Sequence, residues 1–380
     1  MVRFAPDPVR GGTDWWDTGC IHQIHLQSLT SAEPTHTVRS HLQELCDLGV
    51  DAVSLTVPPL LPTADCGLDT NVSGVLDTVV AEARNLGLRV LVDLDLGSTS
   101  GSQPEDNRAP DQAESLIRLW LDRGADGLRI VDAGDSAARG QDRIHEIPRG
   151  WLDILGSYPG RRIAVVDLRA RTAHTPTGCA RPAERRQVVI PYPLSLTWDA
   201  VDLRAAIDIT LQANRTAGAS NCWKLHGAPA VNAAPRSGDL RQAQASMLLA
   251  LALPGAVFTS LGEQRRSASH DPSAKGAGGL RTSEPDPWVT LYAGALSLRG
   301  TCPALVGSDL VWTESPSGTL IFSRPPGFLC TVNTTDRGVP VDVPRHLLLA
   351  SGPLASDPGT GSVILPPHTT AWWLQPHDRT

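Results

Sequence analysis

Trp120-Leu121-Asp122-Arg123-Gly124-Ala125-Asp126-Gly127-Leu128-Arg129-Ile130-Val131 decides the fold class of this chain. Leu116, Leu119 and Trp120 recur at helical spacing, so 111–123 is predicted as a helix with one buried face. Two glycines in Gly124-Ala125-Asp126-Gly127 then break the period, and Leu128–Val131 follows as an apolar run of strand length. A helix that feeds a buried strand through a tight turn is half of a parallel β/α unit.

The same alternation extends in both directions. Strands are predicted at Cys20–Leu26, Ala52–Thr56, Arg89–Leu94, Ile163–Leu168, Gln187–Ile190, Trp223–Leu225 and Ala256–Thr259. Helices are predicted at 37–48, 74–86, 199–212, 239–252 and 287–298. With Leu128–Val131 that makes eight strand candidates, with helices between most of them, which suits an α/β fold of the (β/α)8 barrel type over residues 1–300. After 301 the texture changes: Leu310–Trp312, Gly318–Ser323, Gly327–Asn333, Leu347–Ala350 and Thr370–Trp373 are β-rich runs between Pro and Gly turns. A small antiparallel β-sandwich domain is expected over 301–380, and the Ser-, Gly- and Ala-rich segment 262–286 reads as a loop.

Bulk properties narrow the function classes. A net charge of −7 offers no electrostatic footprint for nucleic acid or an anionic membrane. The longest apolar run, Met247–Phe258, is too short to span a bilayer and contains Pro254. Met1–Trp16 has no apolar stretch of signal-peptide length, so a cytoplasmic location is expected. Cys20, Cys46, Cys66, Cys179, Cys222, Cys302 and Cys330 show no CxxC pairing, which fits reduced thiols better than a zinc cluster or a disulfide frame. No DxDxDG-like loop is present, so neither metal nor other cofactor is expected.

Several stretches, in order, resemble glycoside hydrolase family 13, in particular its α-glucosidase and oligo-1,6-glucosidase branch. Trp15-Trp16 with Ile21-His22-Gln23-Ile24-His25 resembles the opening WW…IYQVYP, with histidines in place of both tyrosines. Leu48–Ala52 is similar to LGVDA, Asp65-Cys66-Gly67-Leu68-Asp69 to DGGYD, and Gly87–Leu94 to GLRVIVDL. Trp120–Ile130 resembles FWLDRGVDGFRI, and Leu253–Glu263 resembles LPGAVYLYQGEE. Gly327–Asn333 and Leu365–Thr369 fit the family's C-terminal β domain.

The resemblance implies an Asp nucleophile ending strand 4, a Glu acid ending strand 5 and a second Asp after strand 7. A retaining glycosidase needs the first two to face each other across the scissile bond. Here the nucleophile position is Val131, which has no lone pair to attack an anomeric carbon, although the Arg two residues earlier is kept as Arg129. Asp132 follows, but strand alternation turns it to the opposite face from Arg129 and Val131. The acid position is Asp167, one methylene shorter than glutamate, and proton transfer needs heavy atoms about 2.6–3.2 Å apart. Asp167 reads either as a residual acid or as a polar partner for Arg129. The family's SNHD corresponds to His226-Gly227-Ala228-Pro229, so Pro229 stands at the third carboxylate, and Gly97-Ser98 replaces the other sugar-binding NH.

Leu68 replaces the stacking tyrosine, while Asp65 is kept. Residues 99–110 replace the long excursion, domain B, that walls the family's active site. Asp93 and Asp95 share one strand face and could pair with Arg129, plugging the barrel mouth, since a buried guanidinium needs a carboxylate. His22 and His25 fall on opposite strand faces, which argues against a shared metal. The expectation is a non-catalytic family member, a pseudoenzyme that binds a carbohydrate or a protein partner. In that reading Asp65, Asp93 and Arg129 are the residual binding candidates. The alternative is an active or altered α-glucosidase or transglycosidase using Asp167 with Asp93, Asp95 or Asp132.

Overall fold

The computed structural model describes residues 14–26, 34–57, 70–95, 109–132, 149–168, 188–189, 192–194, 198–225, 237–259, 287–343, 346–356, 359 and 362–375. Parallel strands β1 (Cys20–His25), β2 (Ala52–Thr56), β3 (Arg89–Asp95), β4 (Gly127–Asp132) and β5 (Ile163–Leu168) come first. Helices α1 (Pro34–Asp47), α2 (Thr70–Asn85), α3 (Ala109–Asp122) and α4 (Arg149–Ser157) alternate with them. After β6 (Val188–Val189) and β7 (Tyr192–Pro193) come α5 (Ala200–Ala217), β8 (Cys222–Leu225), α6 (Ser237–Ala252), β9 (Ala256–Thr259) and α7 (Pro287–Thr301). The hydrogen-bonded order is β6-β5-β4-β3-β2-β1-β9-β8-β7. Its two ends, β6 and β7, are separated in sequence only by residues 190–191. Two residues cannot bridge a wide gap, so the nine strand pieces fill eight positions around a barrel.

Strand alternation sorts the core into two faces. Ile24, Val53, Leu55, Val90, Val92, Leu128, Ile130, Ala164 and Val166 face the helices, among residues such as Leu42, Val79 and Trp120. Ile21, Ala52, Leu91, Ile163, Val165, Cys222, Ala256 and Phe258 fill the lumen. Trp16 belongs to this inner cluster and seals the amino ends of the strands, with the Arg161 guanidinium 5.2 Å from its ring centroid. The Trp-Trp pair of the sequence is therefore a floor for the barrel. Asp126 fastens the same end, accepting from the Val90 N–H at 3.0 Å and from Arg162 at 3.0 Å.

The remaining strands form a five-stranded antiparallel sheet, β10-β11-β12-β17-β14, and a three-stranded one, β13-β16-β15. These are β10 (Val311–Thr313), β11 (Thr319–Arg324), β12 (Phe328–Asn333), β13 (Val339–Val341), β14 (His346–Ala350), β15 (Ala355–Ser356), β16 (Val363–Leu365) and β17 (Thr369–Leu374). Leu320, Phe322, Phe328, Cys330, Val332 and Trp372 turn one face of the larger sheet to α6 and α7. Ile321, Leu329, Ala371 and Trp373 turn the other face to Val341 and Leu365 of the smaller sheet. Polar anchors secure the layer: Trp372 Nε1–H donates to the Leu248 carbonyl at 3.2 Å and Thr370 Oγ1 to that of Ala245 at 2.8 Å. Arg324 donates to the Ala252 carbonyl at 2.9 Å and Arg299 to that of Leu251 at 2.5 Å, serving the free acceptors at the carboxyl end of α6. Burial and the nearby Arg299 push the Arg324 guanidinium down to about 9.

Among the described residues, no helix is long and apolar enough to cross a membrane. Helix α4 and strands β13, β15 and β16 go beyond the elements read from sequence. The segment 262–286, Cys66 and Cys179 lie outside the described residues. The five described cysteines, Cys20, Cys46, Cys222, Cys302 and Cys330, form no disulfides with one another.

Candidate functional site

Parallel register places the chemistry-bearing residues at the carboxyl ends of β1 to β5. Asp93 of β3 pairs in register with Arg129 of β4, and Arg129 with Val165 of β5. One step on, Asp95, Val131 and Asp167 form the next row on the same face. Arg129 and Val131 thus share the lumen face, while position 132 falls on the face of Leu128 and Ile130. Val131 is buried, at 5% exposure.

The row below is a closed polar network. Arg129 Nη1 donates to Asp93 Oδ2 at 2.5 Å, with side-chain exposures of only 6% and 3%. Ser54 Oγ donates to Asp93 Oδ1 at 2.6 Å and Thr56 Oγ1 to Oδ2 at 2.6 Å. Gln23 Nε2 in turn donates to Thr56 Oγ1 at 2.8 Å. The face of Phe258 from β9 lies 4.9 Å from Arg129 Cζ, a cation–π contact. Five strands, β1 to β4 and β9, therefore collaborate to bury one ion pair, each contributing through its inward positions. Desolvating a carboxylate and a guanidinium is tolerable only because three donors converge on the former.

Set against the sequence reading, the structure brings Asp93 and Arg129 together as the inward pair. It places Asp95, Val131 and Asp167 side by side along the backbone, and position 132 has the strand parity of Leu128 and Ile130. Asp65, Leu68, Gly97, Ser98, His226 and Pro229 lie outside the described residues. His22, buried, takes the parity of Ile24 on the helix side, whereas exposed His25 takes that of Ile21. Gln23, Ser54, Thr56 and Phe258 were not singled out from sequence. Period-two alternation on β1, β2 and β9 would have found them, because Gln23 follows Ile21, and Ser54 and Thr56 follow Ala52, on the lumen face.

No family model matches the chain. Curated proteins that match parts of it include a "Probable alpha-glucosidase" of Rhizobium meliloti, 30% identical over 161 residues, or 38% of this chain and 26% of that protein. A trehalose-6-phosphate hydrolase of Escherichia coli is 33% identical over 101 residues, 23% of this chain and 18% of that one. The matches thus span about a quarter of these relatives or less. Solved structures agree in fold over nearly the whole chain. The alpha-glucosyl transfer enzyme XgtA superposes with a TM-score of 0.63 at 16% identity, covering 96% of this chain and all (100%) of that one. An Anoxybacillus alpha-amylase gives 0.64 at 12% identity, covering 97% and 100%. At such identities the likeness speaks for the fold alone.

Proposed function

We infer that this chain, an α-glucosidase-like member of glycoside hydrolase family 13, does not cleave glycosides and acts by binding, either an α-glucoside or a protein partner. The observation that carries this is the pairing of Arg129 with Asp93 beneath an aliphatic Val131. In the family this chain resembles, the arginine on this strand supports an Asp nucleophile two residues on; here the methyl-bearing Val131 stands there. Losing such a nucleophile costs on the order of 10⁴- to 10⁶-fold in rate. The short connection 96–108 between β3 and α3 supports the same reading, since it leaves no length for an added domain walling the mouth.

A second reading has one observation in its favour. The row Asp95–Val131–Asp167 puts carboxyl-bearing positions on both sides of Val131, which suits an altered glycosidase or transglycosidase. Hydrolysis of a chromogenic α-glucoside by the wild type and by Asp167→Asn separates the two. Binding alone predicts no turnover from either protein. Turnover in the wild type that disappears in Asp167→Asn would overturn it. Thermal shifts with maltose, isomaltose and trehalose then distinguish a sugar ligand, which raises Tm, from a protein partner, for which all three leave Tm unchanged.

A further inference from the structure

A chain of side chains crosses from the barrel to the antiparallel sheets, away from the Arg129 network. Trp198 lies in the connection that leaves the carboxyl end of β7 and enters α5. Its indole Nε1–H donates to His368 Nδ1 at 3.0 Å. His368 sits in the turn between β16 and β17, and its Nε2 meets Asp336 Oδ1 at 2.8 Å. An indole nitrogen can only donate. Nδ1 must therefore be the bare acceptor, so Nε2 carries the imidazole proton and donates it to the carboxylate. The geometry admits one tautomer of a neutral ring.

The sheet side of this contact is firmly built. His368 adopts a left-handed backbone conformation, with φ of 49°, and its N–H donates to the Thr335 carbonyl at 3.3 Å. Asn333, wholly buried, fastens the turn that bears Asp336. Its amide donates to the carbonyls of Arg337 at 2.7 Å, Leu365 at 3.0 Å and Pro366 at 2.9 Å, while its oxygen accepts the Thr335 N–H at 2.9 Å. The two turns flanking His368 are thus tied to each other through one residue.

We propose that His368 is a proton-operated latch that holds Trp198, at the entry to α5, against the antiparallel sheets. Protonating Nδ1 removes the lone pair that Trp198 uses and sets two N–H groups against each other. The contact to Asp336 survives, because an imidazolium still donates through Nε2. The ring stays with the sheets and lets go of the barrel. Among the described residues, Asp336 is the charged group in contact with it, with a side chain 97% exposed, so solvent screens the pair. Asp199, next to Trp198, is turned to the first amides of α5, accepting from Val201 and Asp202. Arg337, beside Asp336, is exposed. Trp198 directly precedes Asp199, the N-cap of α5, so the freed residue adjoins the first turn of that helix. The inference is independent of whether the chain cleaves or only binds sugar.

Hydrogen exchange of the intact chain tests this at pH 8 and pH 5, read as protection of Trp198 and the first turn of α5 relative to the intrinsic rates. The expected result for the wild type is about fivefold lower protection at pH 5, the Boltzmann factor of one net hydrogen bond. His368→Asn supplies a side chain that tolerates the left-handed backbone and does not titrate. It should show the same protection at both pH values. Trp198→Phe should show the low protection already at pH 8, with no further fall at pH 5. A wild type without a pH step overturns the latch, as does a step that persists in either variant.

Discussion

Removing the Asp93 carboxylate tests the interior of the barrel most directly. In Asp93→Ala the Arg129 guanidinium, with its side chain only 6% exposed, stays in the lumen without its carboxylate. Breaking one side of a buried pair costs about 3–5 kcal/mol, and the Ser54 and Thr56 hydroxyls lose an ionised acceptor worth about 1 kcal/mol each before they reorient. A loss of about 5 kcal/mol is expected, the larger part of the stability of an ordinary domain. Arg129→Met instead strands the carboxylate with two hydroxyl donors and gives up the stacking on Phe258, for about 3–4 kcal/mol. With both changes neither partner keeps its charge after losing the other, so the double variant should lose about 4–5 kcal/mol, well short of the sum. Urea unfolding followed by far- and near-ultraviolet circular dichroism measures all four proteins and checks that the transitions coincide. An additive double variant, or a single Asp93→Ala that costs less than about 1 kcal/mol, would refute the claim that this pair is buried and coupled.

Other outcomes follow from the remaining geometry. Burial pushes the Cys20 thiol up from 9.0 to about 12, against the hydrogen bond with Tyr292. Native protein at pH 8.5 should leave Cys20, Cys222 and Cys330 unmodified by iodoacetamide while Cys302 reacts, as peptide mass spectrometry would show. Because the folded thiol keeps its proton between pH 9.0 and about 12 and the unfolded one does not, Cys20 subtracts stability as pH rises through that window. A Cys20→Ala variant should show a shallower fall in urea midpoint over the same range. Gly255→Ala places a Cβ 2.5 Å from the Asn221 carbonyl oxygen at a φ of 119°, so a loss of about 2 kcal/mol or more in the same assay is expected. Asn333→Ala removes the amide that donates to the Arg337, Leu365 and Pro366 carbonyls, with Thr335 Oγ1 still donating to the first, and should cost about 2–3 kcal/mol, measured as a drop in Tm.

Much of the barrel was legible because buried parallel strands are continuous apolar runs and the helices between them keep their period. Ala52–Thr56, Ile163–Leu168 and Ala256–Thr259 are found within the bounds read from sequence. Helix α4, Arg149–Ser157, has an apolar face in Trp151, Leu152, Ile154 and Leu155 but is only nine residues long, and a run that short does not distinguish helix from strand by periodicity. Strands β13, β15 and β16 are two or three residues long, and no alternation can show over that length. The expectation that Arg129 needs an inward carboxylate holds, with Asp93 in that place.

Residue identity alone determined that position 131 carries an aliphatic side chain and that a carboxylate follows it at 132. It also determined the parity of each strand, since successive side chains must point to opposite faces. Which carboxylate meets Arg129 was a matter for register between strands. Asp93, Asp95 and Asp167 share a parity along the chain, and the hydrogen-bonded pairing of β3 with β4 is what sets Asp93 beside Arg129. The contact of Trp198 with His368 joins residues 170 positions apart, beyond the reach of any local pattern. Local chemistry is written along the chain, whereas neighbours across strands and layers exist only once packing has chosen them.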